Sequence, residues 1–197
     1  MSLPNRRTTL IVIGVSVVLL VGSGVLLLAR GKARAVRTLV ESLRKNPDPK
    51  ERAKAAKGLG QMRAEAKAAI PDLIAALQDE DRAVRRHAAE TLGKIGPDAK
   101  AAVPALSTAL RDKSSKVRHS AAKALGKIGP EARDAVPALT EALKDKHKDV
   151  REPAARSLGR IGPGARSAIP ALKAVLRDPD YKVREAVQQA LAKLEGT

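Results

Sequence analysis

The residues best suited to chemistry in this 197-residue chain are three histidines, His87, His119 and His147. His87 and Glu90 stand at i and i+3, so a helix would place them on one face. A metal site needs three or four convergent ligands, and the three histidines fall at unrelated points of the sequence pattern described below. There is no cysteine, which excludes disulfides, thiolate metal ligands and a Cys–His nucleophile pair. No phosphate-cradling glycine loop is apparent, and Gly22-Ser23-Gly24 lies in an apolar run. The expectation is a non-catalytic protein with no metal and no cofactor.

The basic residues carry a stronger signal. Lys and Arg number 38 against 21 Asp and Glu, a net charge of +17. That balance favours acidic partners: nucleic acid, anionic lipid or an acidic protein. Lys94, Lys127, Arg160 and Lys193 recur at a spacing of 33 residues, as do Lys67, Lys100, Arg133 and Arg166. Both rows are candidate polyanion tracks. The first falls where helices are expected to end, a position that favours cations by about 0.3–1 kcal/mol, so the structural explanation is preferred there. The second row is more open.

The spacing belongs to the whole chain. VPALSTALRDKSSKVRHSAAKALGKIGPEARDA (103–135) is preceded by a similar stretch at 70–102 and followed by others at 136–168 and 169–197. Pro71, Pro104, Pro137 and Pro170 mark the step. A fixed period of this size is the signature of a solenoid. Each unit reads as two antiparallel helices. The first starts at its proline and carries leucines four apart, such as Leu106 and Leu110. After a turn at 112–115 the second runs to about Ile128, with Val117, Ala121, Ala124, Leu125 and Ile128 on one stripe. Asp81, Ser114 and Asp180 are expected to cap second helices, and Gly129-Pro130 to end one. Residues 131–135 suit a short helical turn. Pro153, inside a second helix, predicts a kink or a late start with Asp149 as the cap. Phe and Trp are absent and Tyr181 is the only aromatic. The core must then be thin layers of Ala, Leu, Val and Ile, and stacking of bases on aromatic rings is disfavoured.

Residues 36–69 align with the later units but lack the proline, and Glu51 replaces the valine. Terminal repeats are commonly atypical because one face has no neighbour. Residues 30–69 therefore form a basic linker and capping repeat, holding 12 basic and 4 acidic residues. Before them, residues 8–29 carry no charge over 22 positions, long enough to span a hydrocarbon core of roughly 30 Å. The run is longer than the apolar part of a cleaved signal. It is read as a single transmembrane anchor behind a short tail, 1–7. Arg30, Lys32, Arg34, Arg37 and Arg44 after the run outnumber Arg6 and Arg7 before it, which favours repeats on the cytoplasmic side, whereas the Arg6-Arg7 pair ahead of an apolar run would fit the opposite orientation. Arg30, Lys32, Arg34 and Arg37 would also attract anionic lipid headgroups.

The pattern Pro71/Asp79/Val84-Arg85, repeated at Pro104/Asp112/Val117-Arg118, Pro137/Asp145/Val150-Arg151 and Pro170/Asp178/Val183-Arg184, resembles HEAT repeats of the phycobilisome lyase-like class. The resemblance covers 70–194 well and 36–69 poorly. It implies an all-α solenoid of stacked antiparallel helix pairs. It also implies a structural ladder between neighbouring repeats, in which Asp79, Asp112, Asp145 and Asp178 pair with Arg85, Arg118, Arg151 and Arg184. Deoxyhypusine hydroxylases look similar and hold iron through His-Glu doublets, of which this chain has none. Phycobilin lyases and some DNA glycosylases share related repeats, but no pigment pocket or base-handling residues can be named here.

The surface of the second helices away from their apolar stripe should line the concave face. Its residues are Lys57, Arg86, Glu90, His119, Lys123, Glu152, Arg156, Glu185 and Gln189. This set is mixed in sign, which favours a protein ligand over a phosphate chain. The sequence thus points to a membrane-anchored, non-catalytic scaffold or tether that binds a protein. A polyanion, nucleic-acid or anionic-lipid binder ranks second, and a lyase or hydroxylase third.

Overall fold

The computed structural model describes residues 31–196, which are helical with short turns and contain no β-strand. The expected tail at 1–7 and anchor at 8–29 lie outside the described residues. Among the described residues no helix is long and apolar enough to cross a membrane.

Residues 31–45 form α1, followed by α2 (Pro49–Met62). Four first helices, α3 (Ile70–Ala76), α5 (Val103–Ala109), α7 (Val136–Ala142) and α9 (Ile169–Ala174), alternate with four second helices. These are α4 (Arg82–Ile95), α6 (Ser115–Ile128), α8 (Lys148–Ile161) and α10 (Tyr181–Glu195). A 3₁₀ turn, as at Gly129–Ala135, leads from each second helix into the next unit. Each first helix starts with proline at its first or second position, where the missing N–H would have had no helical partner. Gly96, Gly129 and Gly162, with φ of 77, 73 and 74°, let the chain leave α4, α6 and α8 in a conformation closed to residues with a Cβ.

Apolar burial runs the length of the stack as one cluster. Leu73, Leu106, Leu139 and Leu172 are fully enclosed at equivalent places, as are Leu59, Leu92, Leu125 and Leu158. Leu77, Leu110 and Leu143 are likewise buried, whereas Leu176 is half-buried because no unit follows it among the described residues. Second helices approach each other more closely than the leucines alone would allow. A Cβ on Gly93 would lie 2.8 Å from the Ala124 backbone, and one on Gly126 would clash with Ser157 Oγ. The Ser157 hydroxyl uses that proximity to donate to the Ala122 carbonyl at 2.8 Å, as Thr91 donates to Ala56. Each layer of second helices is thus drawn tight by glycine against a small residue. The first helices, half as long, touch each other little, so the stack is held together mainly through its second helices.

Polar contacts set the register between units. Arg85 donates from Nε to Asp112 at 2.6 Å and from Nη2 at 3.0 Å, and its Nη1 binds the Asp79 and Glu80 carbonyls at 2.8 Å. Arg118–Asp145 and Arg151–Asp178 repeat the arrangement. Each arginine therefore closes its own turn and grips the aspartate of the next unit, 27 residues on. The pairing is offset by one unit from a match within each motif. Arg52 supplies a further rung, to Asp79 at 2.8 Å, which the aberrant first unit had concealed. Arg184 donates to the carbonyls of Asp178 and Pro179, with no aspartate rung among the described residues. The aspartates also accept from the turn amide two residues ahead, as Asp112 does from Ser114 at 2.7 Å.

Two expectations about helix starts need correction. Asp81 and Asp180 cap their helices through the side chain, accepting from Ala83 and Val84 and from Lys182 and Val183. Ser114 makes no such bond; its carbonyl alone receives Val117 and Arg118. Nor does α8 start late. It begins at Lys148 after His147, in the same register as its neighbours, and Pro153 lies inside it. The start is imposed by the Asp145 turn, whose carboxylate accepts the His147 amide at 2.8 Å while it is held by Arg118.

Burial raises the Asp112 and Asp145 carboxyls, but the arginine hydrogen bond, the turn amide and the arginine charge outweigh it and hold both below their ordinary 3.8. At Asp178 the arginine bond dominates in the same direction. A depressed carboxyl stabilises the fold above its unfolded pKa, and that contribution is lost as pH falls through the folded value. Thermal stability is expected to decline below about pH 4. Arg118→Ala, which strands a nearly buried Asp145, should cost about 3 kcal/mol by chemical denaturation and blunt the decline. A loss under about 0.5 kcal/mol, the level of an exposed pair, would refute the rung as a structural tie.

Candidate binding groove

The concave face is the outer surface of α2, α4, α6, α8 and α10. Among the described residues, three clefts on it share His119 as a common wall. One, of about 570 Å³, lies between Arg86 and Glu90 of α4 and Lys116, His119 and Ser120 of α6. The next, of about 470 Å³, is bounded by His119, Asp149, Glu152, Arg156, Tyr181 and Glu185. The third, of about 210 Å³, runs toward the helix C-termini between Lys94, Lys123 and Lys127. The sequence-derived set is therefore brought together from Arg86 to Glu185. Lys57 is exposed on α2, and Gln189 donates to Glu185 at 3.1 Å. What the sequence reading missed is the rim at the helix N-termini: Arg82, Lys116, Asp149, Tyr181 and Lys182. The ring of Tyr181, 62 % exposed, lies beneath the Lys182 ammonium. The step of 33 residues linking positions 82, 115, 148 and 181 was the signal available for that rim.

Local pairing pins much of this surface. Arg86 bonds Glu90 at 2.9 Å, and Arg156 bonds Glu152 at 2.5 Å. His87, beside them, is held on both ring nitrogens. Arg86 Nη2 donates to Nε2 at 2.9 Å, so the proton sits on Nδ1 and is given to Glu90 at 3.0 Å. Burial first, and then the Arg86 charge, pull His87 below its ordinary 6.5 despite Glu90. Glu90, in turn, is raised by burial but held below 4.5 by Arg86 and His87.

His119 has a different task. Pro153 has no N–H to give the Asp149 carbonyl four residues back. That oxygen accepts instead from His119 Nδ1, across from α6. A carbonyl cannot donate, so the His119 proton is on Nδ1. The bond supplies from the neighbouring unit what the proline removed from its own helix. His147, the third histidine, is exposed at the N-terminus of α8. Among the described residues no group of three His, Asp or Glu converges as metal ligands do.

The two basic rows fare differently. Lys67 is paired with Asp98 at 2.7 Å, Arg133 lies 3.8 Å from Asp134, and Arg166 donates to the Leu194 carbonyl at 3.3 Å. Lys100 is exposed on the turn after α4. Lys94, Lys127 and Arg160 sit in the last turns of α4, α6 and α8 and carry no such partner among the described residues; Lys193 ends α10. Near the chain start, Lys32 pairs with Glu65 at 2.6 Å while Arg34 and Arg37 are exposed.

A family model described as HEAT repeats matches residues 36–115 and 103–192. Among solved structures, the CpcE–CpcF complex of phycocyanin lyase from Nostoc sp. PCC7120 is similar at 31 % identity, with a TM-score of 0.72. The alignment covers 82 % of this chain and 65 % of that one, so the chain spans just under two thirds of that relative. An engineered protein is 27 % identical over 82 % of this chain and 79 % of its own, with a TM-score of 0.69. A designed armadillo repeat protein in complex with the peptide (KR)4 shares the fold at 19 % identity, covering 79 % and 80 % of the two chains, with a TM-score of 0.66. No curated protein matches the sequence.

The Pro153 account is testable by a double-mutant cycle read by chemical denaturation. His119→Ala should cost about 1 kcal/mol in the native background and close to nothing beside Pro153→Ala, where the helix bonds its own carbonyl. Equal losses in both backgrounds would show that His119 does not replace the missing bond.

Proposed function

The chain belongs to the HEAT-repeat family, and on that footing we propose that it is a non-catalytic scaffold or tether that binds a protein through the concave face of its second helices. The observation that carries this reading is the continuous run of clefts along α4, α6, α8 and α10, lined by side chains of both signs. Mixed charge with little apolar exposure suits a polar protein surface or an extended segment. His87 supports the non-catalytic part, since both of its ring nitrogens are engaged and it offers no free base.

The reading includes a membrane attachment through residues 8–29, supported by their length and lack of charge. The excess of Arg and Lys after that run supports repeats facing the cytoplasm, and exposed Arg34 and Arg37 suit contact with anionic headgroups.

A photo-crosslinking residue placed at Lys123 or Glu185, on the concave face, is expected to capture the same protein in cells. The same probe at Thr108 or Glu141, exposed on first helices, should not. Equal capture from both faces would exclude the concave face as the binding surface. Protease added outside intact cells should leave the repeats whole and degrade them only after lysis; digestion from outside would reverse the assigned orientation.

A further inference from the structure

We propose that the ligand of the concave face is an extended acidic segment with a carboxylate at about every third residue, seated on a ledge formed by Lys94, Lys127 and Arg160. The proposal rests on the protein-binding reading above and specifies its partner.

The ledge is built by the packing of the second helices. A methyl group on Gly60 would lie 3.3 Å from the Lys94 ammonium, and one on Gly93 would lie 3.5 Å from Lys127 Cδ. Each lysine therefore folds over the glycine of the preceding unit, and the charges fall in line across successive helices. Lys94, Lys127 and Arg160 have no ion-pair partner among the described residues. Lys123, one turn back on α6, adds a further cation to the same cleft, where Glu90 is the only acidic side chain lining it. Partial burial, and then Lys123, Lys94 and Arg160, lower the Lys127 pKa. The ledge is an uncompensated cationic cluster that the fold maintains against repulsion, and an anion would relieve it.

Position and spacing narrow the class of anion. Helix C-termini favour the cations but give an incoming anion no backbone N–H donors, since the free N–H groups lie at the opposite helix ends. The contact must be charge to side chain. Packed helices lie about 8–10 Å apart, and a peptide in the extended polyproline II conformation advances about 3.1 Å per residue with three residues per turn. Carboxylates three residues apart therefore lie on one face about 9 Å apart and meet successive cations. At the rim formed by the helix N-termini charges of both signs alternate, with Lys148 paired to Asp180 and Arg156 to Glu152, so no row of unpaired cations like that of the ledge is presented there. Single-stranded nucleic acid is less well served, because Tyr181, the only aromatic ring, stands on that rim and away from the ledge.

The test uses the full-length protein in detergent and fluorescent peptides of about 12 residues, enough to cross four helices at that rise. A peptide with Glu at every third position and Gly and Ser between should bind more tightly than one of equal composition with its glutamates clustered. Binding should weaken with added salt. Combined Lys94→Gln, Lys127→Gln and Arg160→Gln should weaken it by about tenfold, the sum of three exposed pairs. Combined Lys67→Gln, Lys100→Gln and Arg133→Gln, on the other row, should leave it unchanged. Equal binding by the ledge variant, equal binding of the clustered peptide, or tighter binding of a DNA duplex would each overturn the proposal. Such a failure would leave the crosslinking result at Lys123 and Glu185 standing, so the two readings fall separately.

Discussion

An arginine in each second helix holds two units at once, and the rest of the solenoid depends on that double grip. One nitrogen of Arg118 closes the turn of its own unit on the Asp112 carbonyl, while Nε and Nη2 take both oxygens of Asp145 in the next. The planar fork of the guanidinium suits this task; a lysine could supply charge but not three directions fixed in a plane. Because the Asp145 carboxylate also receives the His147 amide, the place where α8 starts is set by the unit before it. The register passes along the chain from rung to rung, from Arg52 to Asp178.

Close packing of the second helices does the remaining work. Gly93 against Ala124 and Gly126 against Ser157 bring backbones together at distances where no Cβ fits. The leucines of both helices then close over the seam. The same proximity orders the concave surface. It lays Lys94 and Lys127 across the preceding helices, and it brings the His119 imidazole within reach of a carbonyl in α8. A proline that would weaken an isolated helix is accommodated because a neighbouring unit supplies the donor.

The candidate groove was legible in the sequence to the extent that period determines face. Residues Arg86, Glu90, His119, Glu152, Arg156 and Glu185 were placed together because residues 33 apart in a stack of equal units must line up. The rim at Arg82, Lys116, Asp149 and Tyr181 was not identified, since helix N-termini were read for caps and not for exposure. Ser114 looked like a cap by residue type, yet its hydroxyl makes no capping bond. The two basic rows looked alike in sequence, and the more open of them proved the more compensated. Asp98 neutralises Lys67 from the next unit, a pairing that no local pattern announces.

Composition and period by themselves determined that this chain stacks helix pairs. A hairpin with one apolar stripe of Leu, Val and Ala can bury it only against a copy of itself, and prolines and glycines at regular intervals mark where each copy starts and stops. The tertiary structure alone decided which unit each Arg serves, how Pro153 is tolerated, and which cations are left without a partner. Those outcomes depend on distances between neighbouring units, on whether a guanidinium reaches forward or back, and on which carbonyl a histidine finds. Such distances are set by how closely Gly93 and Gly126 let helices approach, and they exist only once the units are packed.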